Sequence, residues 1–220
     1  MTVGVIGCGR MGVAVTRAVA AAGCSVLLAG RTPGAAAAAT AGVPGAFAAD
    51  IRVVLERASL VVLAVPLGPA CRVLTETPVP GRGRPLLDVT NPALGGEEVP
   101  PGSSGAHLIA AAAPGWHVVK ALNTVPAAMV GEPRCGGLPV SLPLAGDDAG
   151  AKGIAGALLS RLGFAPLDVG GLEHARELES LAMLLQAVNQ RHGVHGRIGL
   201  HICGPVRSLH TPAAPGVRLP

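Results

Sequence analysis

The chain has no tyrosine, two phenylalanines and one tryptophan. Nucleic acid is held by clustered lysine and arginine and, when single-stranded, by stacking bases on aromatic rings. Without stacking residues or a basic run, the net charge of +4 does not indicate a nucleic-acid binder. A surplus that small matches phosphorylated cofactors more simply. Half the residues are hydrophobic, yet no apolar run reaches the roughly 18 residues of a membrane span. The N-terminus enters apolar strand sequence at once, so no signal peptide is expected. Cysteines 8, 24, 71, 135 and 203 show neither C-x-x-C nor Cys/His ligand spacing. They read as small buried side chains in a reducing cytoplasm. His192, His195, His201 and His210 lack a carboxylate or cysteine spaced to complete a tetrahedral set, so they are expected on the surface or in loops, and no metal is expected.

What the chain does have is Val3-Gly4-Val5-Ile6-Gly7-Cys8-Gly9-Arg10-Met11-Gly12, followed by a helical stretch to Ala22. An apolar strand, a G-x-G-x-x-G triplet and a helix stand in the order of a dinucleotide-binding βα turn. Gly7 allows the tight turn, Gly9 lets the backbone approach a pyrophosphate, and Gly12 brings the helix close to its strand. Free N–H groups at the helix start, aided by the helix dipole, favour phosphate. After the second strand, Ser25-Val26-Leu27-Leu28-Ala29, the chain continues Gly30-Arg31-Thr32. An NAD enzyme usually places a carboxylate there, about 20 residues beyond the glycines, to hold the ribose 2′-OH. A guanidinium instead suits a 2′-phosphate. NADP(H) is therefore the expected cofactor, with Arg31 as clamp and Thr32 adding a hydroxyl.

Helices are expected over 33–41 and 51–58, a doubly covered strand over 60–66, and a helix over 68–75. A loop rich in Pro, Gly and Arg (78–85) precedes the strand Leu86-Leu87-Asp88-Val89 and the turn Thr90-Asn91-Pro92. Asn91 either faces the nicotinamide or is only a turn residue. Strand character returns over 116–122 and over 138–145. Asp147 and Asp148 are expected in the first turn of a helix that runs to Leu162. A short strand, 166–169, leads to a long helix over about 172–191. Its Leu178, Leu181, Ala182, Leu184, Leu185 and Val188 fit one buried stripe, and Glu173, Glu177 and Glu179 a solvated face. The fold class is α/β, a Rossmann-type doubly wound parallel sheet with a short C-terminal helical lobe. The expected units are a dinucleotide-binding domain over 1–145, a small lobe over 146–207 that completes the acceptor pocket, and a disordered tail over 208–220.

Four stretches resemble the NADP-dependent reductases of the deazaflavin coenzyme F420: Gly7 to Gly12, Lys120-Ala121-Leu122-Asn123-Thr124-Val125-Pro126-Ala127, Leu144-Ala145-Gly146-Asp147-Asp148, and Leu167-Asp168-Val169-Gly170-Gly171-Leu172 with Glu179-Ser180-Leu181 beyond. Imine reductases, pyrroline-carboxylate reductases and hydroxyacid dehydrogenases append long helical domains, which the roughly 50 residues after Gly171 cannot supply. The resemblance implies hydride transfer between NADP(H) and F420 or a flavin-like acceptor, by proximity and stacking rather than by an acid or base. It places Val65, Pro66 and Ala127 at the cofactor and Asn123, Thr124 and Val125 along the acceptor pocket, which Asn189 to Gly193 would help to close. With Gly7, Gly9, Arg10, Met11, Gly12, Arg31, Thr32 and Asn91, these complete the candidate site. It further implies a cytoplasmic homodimer with a small-molecule acceptor.

Two positions depart from the family pattern. F420-using members carry His where this chain has Asn123; Asn there resembles the cytoplasmic domain of transmembrane metalloreductases, where a flavin replaces the deazaflavin. Those relatives also have Ser before the strand-two Arg, so Gly30 removes one 2′-phosphate donor. Two other readings stay open: direct NADPH-dependent reduction of a C=N or C=C bond in a small metabolite, and a non-catalytic NADPH-binding sensor. Lys120 would serve the first as proton donor, or else is structural.

Overall fold

The computed structural model describes residues 1–204; His210 and the tail over 208–220 lie outside them. In chain order the first elements are β1 (Thr2–Ile6), α1 (Arg10–Ala21), β2 (Ser25–Ala29), α2 (Pro33–Thr40), β3 (Ala46–Ala48), α3 (Ile51–Arg57), β4 (Leu60–Leu63), α4 (Leu67–Glu76), β5 (Pro85–Asp88), α5 (Gly105–Ala112) and β6 (His117–Lys120). The six strands form one parallel sheet in the order β3-β2-β1-β4-β5-β6. This is the doubly wound Rossmann order, and the connection reverses between β1 and β4. The Gly7–Gly12 loop stands at that reversal. β3 was not expected: three residues with Phe47 57% exposed give too short a pattern to register as a strand.

Alternation along the strands sorts the core onto two faces. Val3, Val5, Leu60, Val62 and Leu87 join Val15 and Val19 of α1. Ile6, Val61, Leu63 and Leu86 join Val54 and Leu55 of α3, Leu74 of α4 and Ile109 of α5. With both faces covered, all residues of β4 and β5 are buried, as their near-continuous apolar runs require. Each large aliphatic side chain so buried contributes roughly 1.5–3 kcal/mol.

Past β6 the chain forms β7 (Arg134–Cys135), β8 (Leu138–Pro139), β9 (Ser141–Leu144), α6 (Ala149–Arg161), β10 (Ala165–Asp168) and α7 (Ala175–His192). The strand expected over 138–145 divides at Val140: β8 pairs antiparallel with β7, and β9 pairs parallel with β10 in a separate two-stranded sheet. A bridge between Lys120 and Ala145 ties the end of β9 to β6. Leu142 and Leu144 of β9 and Leu158 and Leu159 of α6 pack in the same core as β1 and α1. The aspartates also depart from expectation. Asp148 is the N-cap of α6, accepting from the Ala151 N–H at 2.7 Å, while Asp147 accepts from the Leu172 N–H at 2.7 Å and so joins α6 to the approach of α7.

The buried stripe expected along α7 stops early. Leu178 and Ala182 are buried, but Met183, Leu184 and Val188 are 41%, 61% and 36% exposed. The helix packs on α5 and on the turns at 93–95 and 172–174. Among the cysteines only Cys24 is buried; Cys8, Cys71 and Cys135 are partly exposed and Cys203 is exposed, contrary to the expectation of five buried thiols. No described helix is long and apolar enough to cross a membrane. Replacing the Asp148 cap by alanine is expected to lower stability by about 1 kcal/mol, measured by urea unfolding.

Candidate functional site

The loop between β1 and α1 is built around three glycines with separate causes. Gly7 has φ +123° and donates its N–H to the Ala29 carbonyl at 2.8 Å; a side chain there would meet the Ala64 carbonyl oxygen at 2.3 Å. Gly12 lies where a Cβ would be 1.8 Å from the Gly7 oxygen, so α1 can approach β1 only without a side chain. Gly9 differs. It is exposed, its φ of −74° suits any residue, and a Cβ there would meet nothing within 4 Å. Nothing in the chain's own packing demands glycine at that point. The helix beginning there has no side-chain cap and no acidic residue in its first turn, so no side chain of its own satisfies its leading N–H groups.

Around this loop lie further candidate residues. Arg10 is exposed and Met11 packs against the core beneath the loop. Val65 lies beside Gly7, where a Cβ would be 2.9 Å from its Cγ1, and the exposed Pro66 opens α4. Arg31 and Thr32 stand exposed just beyond β2, Thr32 as the N-cap of α2 with its hydroxyl uncommitted to the helix. Gly30 is closely confined: a Cβ would be 2.5 Å from Cys8 Sγ. The Cys8 thiol thus fills the space that a serine at 30 would use, and burial pushes its pKa up. Ala127 opens a short turn, 127–129, that packs on α1.

Asn91 and Asn123 come together across the ends of β5 and β6. Asn91 Nδ2 donates to the Asn123 carbonyl at 2.6 Å, and Asn123 Nδ2 donates to Asn91 Oδ1 at 3.0 Å and to the Leu178 carbonyl of α7 at 2.9 Å. Asn123 Oδ1 is buried without a partner. Asn123, Thr124 and Val125 are all buried, 4–5% exposed, in a turn closed by the Val125 N–H to the Leu122 carbonyl. Leu122 holds φ +60°, a left-handed conformation unusual for a leucine.

Beneath this pair is a charge cluster that motif reading did not assemble. Lys120 is wholly buried. Its ammonium donates to Asp88 Oδ2 at 2.9 Å and to the Thr90 carbonyl at 2.6 Å, and lies 2.9 Å from Glu179 Oε1. Asp88 also accepts from the Thr90 N–H at 2.8 Å. Glu179, expected on a solvated face with Glu173 and Glu177, is instead turned inward with its side chain 12% exposed, while those two remain exposed. Sequence signals did exist: lone charges in Leu86-Leu87-Asp88-Val89 and Val118-Val119-Lys120-Ala121 require buried partners. Glu179 lies one helical turn from both Ala175 and Ala182, which are buried.

A second missed residue is Glu97. Its carboxylate accepts from the Leu67 and Gly68 N–H groups at 2.8 and 2.7 Å, capping α4 beside Pro66. His192, His195 and His201 are exposed, and no group of three or more potential metal ligands occurs among the described residues.

Residues 2–92 match the family model described as NADP oxidoreductase, coenzyme F420-dependent. A stretch of 104 residues, 47% of the chain, is 36% identical to the metalloreductase STEAP3 of Rattus norvegicus and accounts for 21% of that protein's length. Among solved structures, the hypothetical protein SMa0349 from Sinorhizobium meliloti is 30% identical, with a TM-score of 0.70 over 78% of this chain and 86% of the other. A protein of Arthrobacter sp. fb24 assigned as an F420 dependent NADP-reductase gives a TM-score of 0.81 at 26% identity, over 93% of this chain and all of the other (100%).

Removing one member of the buried cluster leaves the others uncompensated. Lys120→Met is expected to cost about 3–5 kcal/mol, and combining it with Asp88→Asn and Glu179→Gln should restore part of that loss in urea unfolding.

Proposed function

Because the chain belongs to the family of coenzyme F420-dependent NADP oxidoreductases, we propose that it transfers a hydride between NADP(H) and F420 or a flavin-like acceptor. The observation that carries this reading is Gly9. Its own fold gives no reason for glycine, whereas a pyrophosphate laid across the start of α1 does. In this reading Gly7, Gly9, Arg10, Met11 and Gly12 form the phosphate cradle. The Arg31 guanidinium binds the 2′-phosphate and the Thr32 hydroxyl adds a donor. Val65 and Pro66 wall the crevice at the end of β4, and Ala127 borders it beside α1.

NADPH, when bound, supplies the hydride, and the acceptor takes it together with a proton. The protein's work is to orient the two rings and exclude water. Asn91 reaches the nicotinamide end of the crevice, held by Asn123 from behind. Both Asn123 N–H donors are spent on Asn91 and Leu178, so Asn123 acts as a positioning residue for Asn91 and α7. Thr124 and Val125 shape the acceptor pocket from the same turn. The exposed Met183, Leu184 and Val188 of α7 are the surface we assign to a second copy in a homodimer.

Absorbance at 340 nm with NADPH and F420, FMN, FAD or no acceptor tests the activity directly. Rapid oxidation with F420 or a flavin is expected; binding of NADPH without turnover on any of them would overturn it. Arg31→Ser is expected to weaken NADPH at least tenfold while sparing NADH. Gly9→Ala should hold stability within about 1 kcal/mol yet weaken NADPH at least tenfold, whereas Gly12→Ala should cost on the order of 3 kcal/mol of stability.

A further inference from the structure

The strands of a parallel sheet begin at the edge opposite the dinucleotide loop, and there a second concavity opens. α3 ends at Arg57, β4 starts at Leu60, and the loop before β5 closes over both. The cavity between them, about 550 Å³, is lined by Arg52, Arg57, Arg82 and Arg84, with Glu56 its one acidic side chain. Four guanidinium groups against one carboxylate leave a local charge of +3, while the whole chain carries +4. Glu56 lies 3.7 Å from Arg52 in an exposed pair, so Arg57 and Arg82 have no carboxylate partner among the described residues.

Arg84 is immobile. Its Nε donates to the Gly81 carbonyl at 3.0 Å, Nη1 to the Ala58 and Glu56 carbonyls at 2.8 and 3.3 Å, and Nη2 to the Pro80 carbonyl at 3.0 Å. The guanidinium also stacks on Trp116 at 4.4 Å from the ring centroid. Of its five N–H groups, one on Nη2 remains. Burial and the neighbouring Arg82 charge both push the Arg84 pKa below its ordinary value. Arg82 is exposed at φ +52°, a left-handed conformation that strains a residue other than glycine. Packing does not explain an arginine there, and strain of this kind gathers at ligand sites.

We propose that this arginine pocket binds a multiply charged anion of the phosphate class, a polyphosphate or a phosphorylated small molecule, at a site separate from the dinucleotide loop. Planar guanidinium groups match phosphate oxygens through paired hydrogen bonds. Arg57 and Arg82 supply the free donors, and Arg84 supplies a fixed charge with one remaining N–H.

The single tryptophan of the chain lies against Arg84 and reports on the pocket. Tripolyphosphate would be titrated into the full chain at ionic strength held constant with sodium chloride, following Trp116 fluorescence with calorimetry in parallel. A saturable response is expected. It should weaken at least tenfold in Arg57→Gln/Arg82→Gly, where glycine keeps the left-handed turn without strain, and persist in Arg31→Ser. The absence of saturation by both methods, equal affinity in the double variant, or loss in Arg31→Ser with retention in the double variant would overturn the proposal. The last outcome would put the anion at the dinucleotide loop instead.

Discussion

The Lys120 ammonium lies 2.9 Å from a carboxylate oxygen of Asp88 and 2.9 Å from one of Glu179, shut off from solvent. Taking an ammonium and two carboxylates out of water costs several kcal/mol per ion, so the arrangement holds only while all three meet. Asp88 ends β5, Lys120 ends β6 and Glu179 sits on α7. The cluster therefore fixes where α7 lies on the sheet, and Asn123 adds a neighbouring tie through its hydrogen bond to the Leu178 carbonyl. One turn of α7, Leu178 and Glu179, makes both attachments. The position of Asn123, and through it of Asn91, depends on them.

That constraint divides the molecule into a part held firmly and a part left open. The first turns of α7 are anchored by charge and by buried Leu178 and Ala182, while Met183, Leu184 and Val188 face outward beyond them. The glycine loop and the Glu97 cap of α4 are shaped by hydrogen bonds and close backbone approach. The cationic side chains of the two candidate sites fall at opposite ends of the strands. Arg31 stands exposed beyond the end of β2 with the glycine loop, and the four arginines of the second cavity gather near the starts of β4 and β5. A net charge of +4 says little about a chain whose positive charge is so unevenly placed.

Local sequence signals carried much of the architecture. Residues 60–63 are apolar enough to demand cover on both faces, and the turn glycines of 7–12 and the helix behind them follow from backbone conformation alone. Arg31 at the end of β2 was equally legible, because its place depends only on where that strand stops. The split of 138–145 at Val140 was not. β8 finds its partner four residues back, but β9 finds β10 across α6, and that choice belongs to packing.

By itself, then, the sequence determined the order and type of the main elements, the glycine loop and the isolation of Asp88 and Lys120 as charges in apolar strands. Only the tertiary structure decided their partner. Glu179 is 59 residues beyond Lys120, and its periodic position suits a solvated face as well as a buried one until α7 docks. Periodicity, capping and φ preferences act over a few residues and can be read along the chain. Charge compensation and the exposure of a helix face depend on which distant segment arrives, and the folded geometry alone sets that.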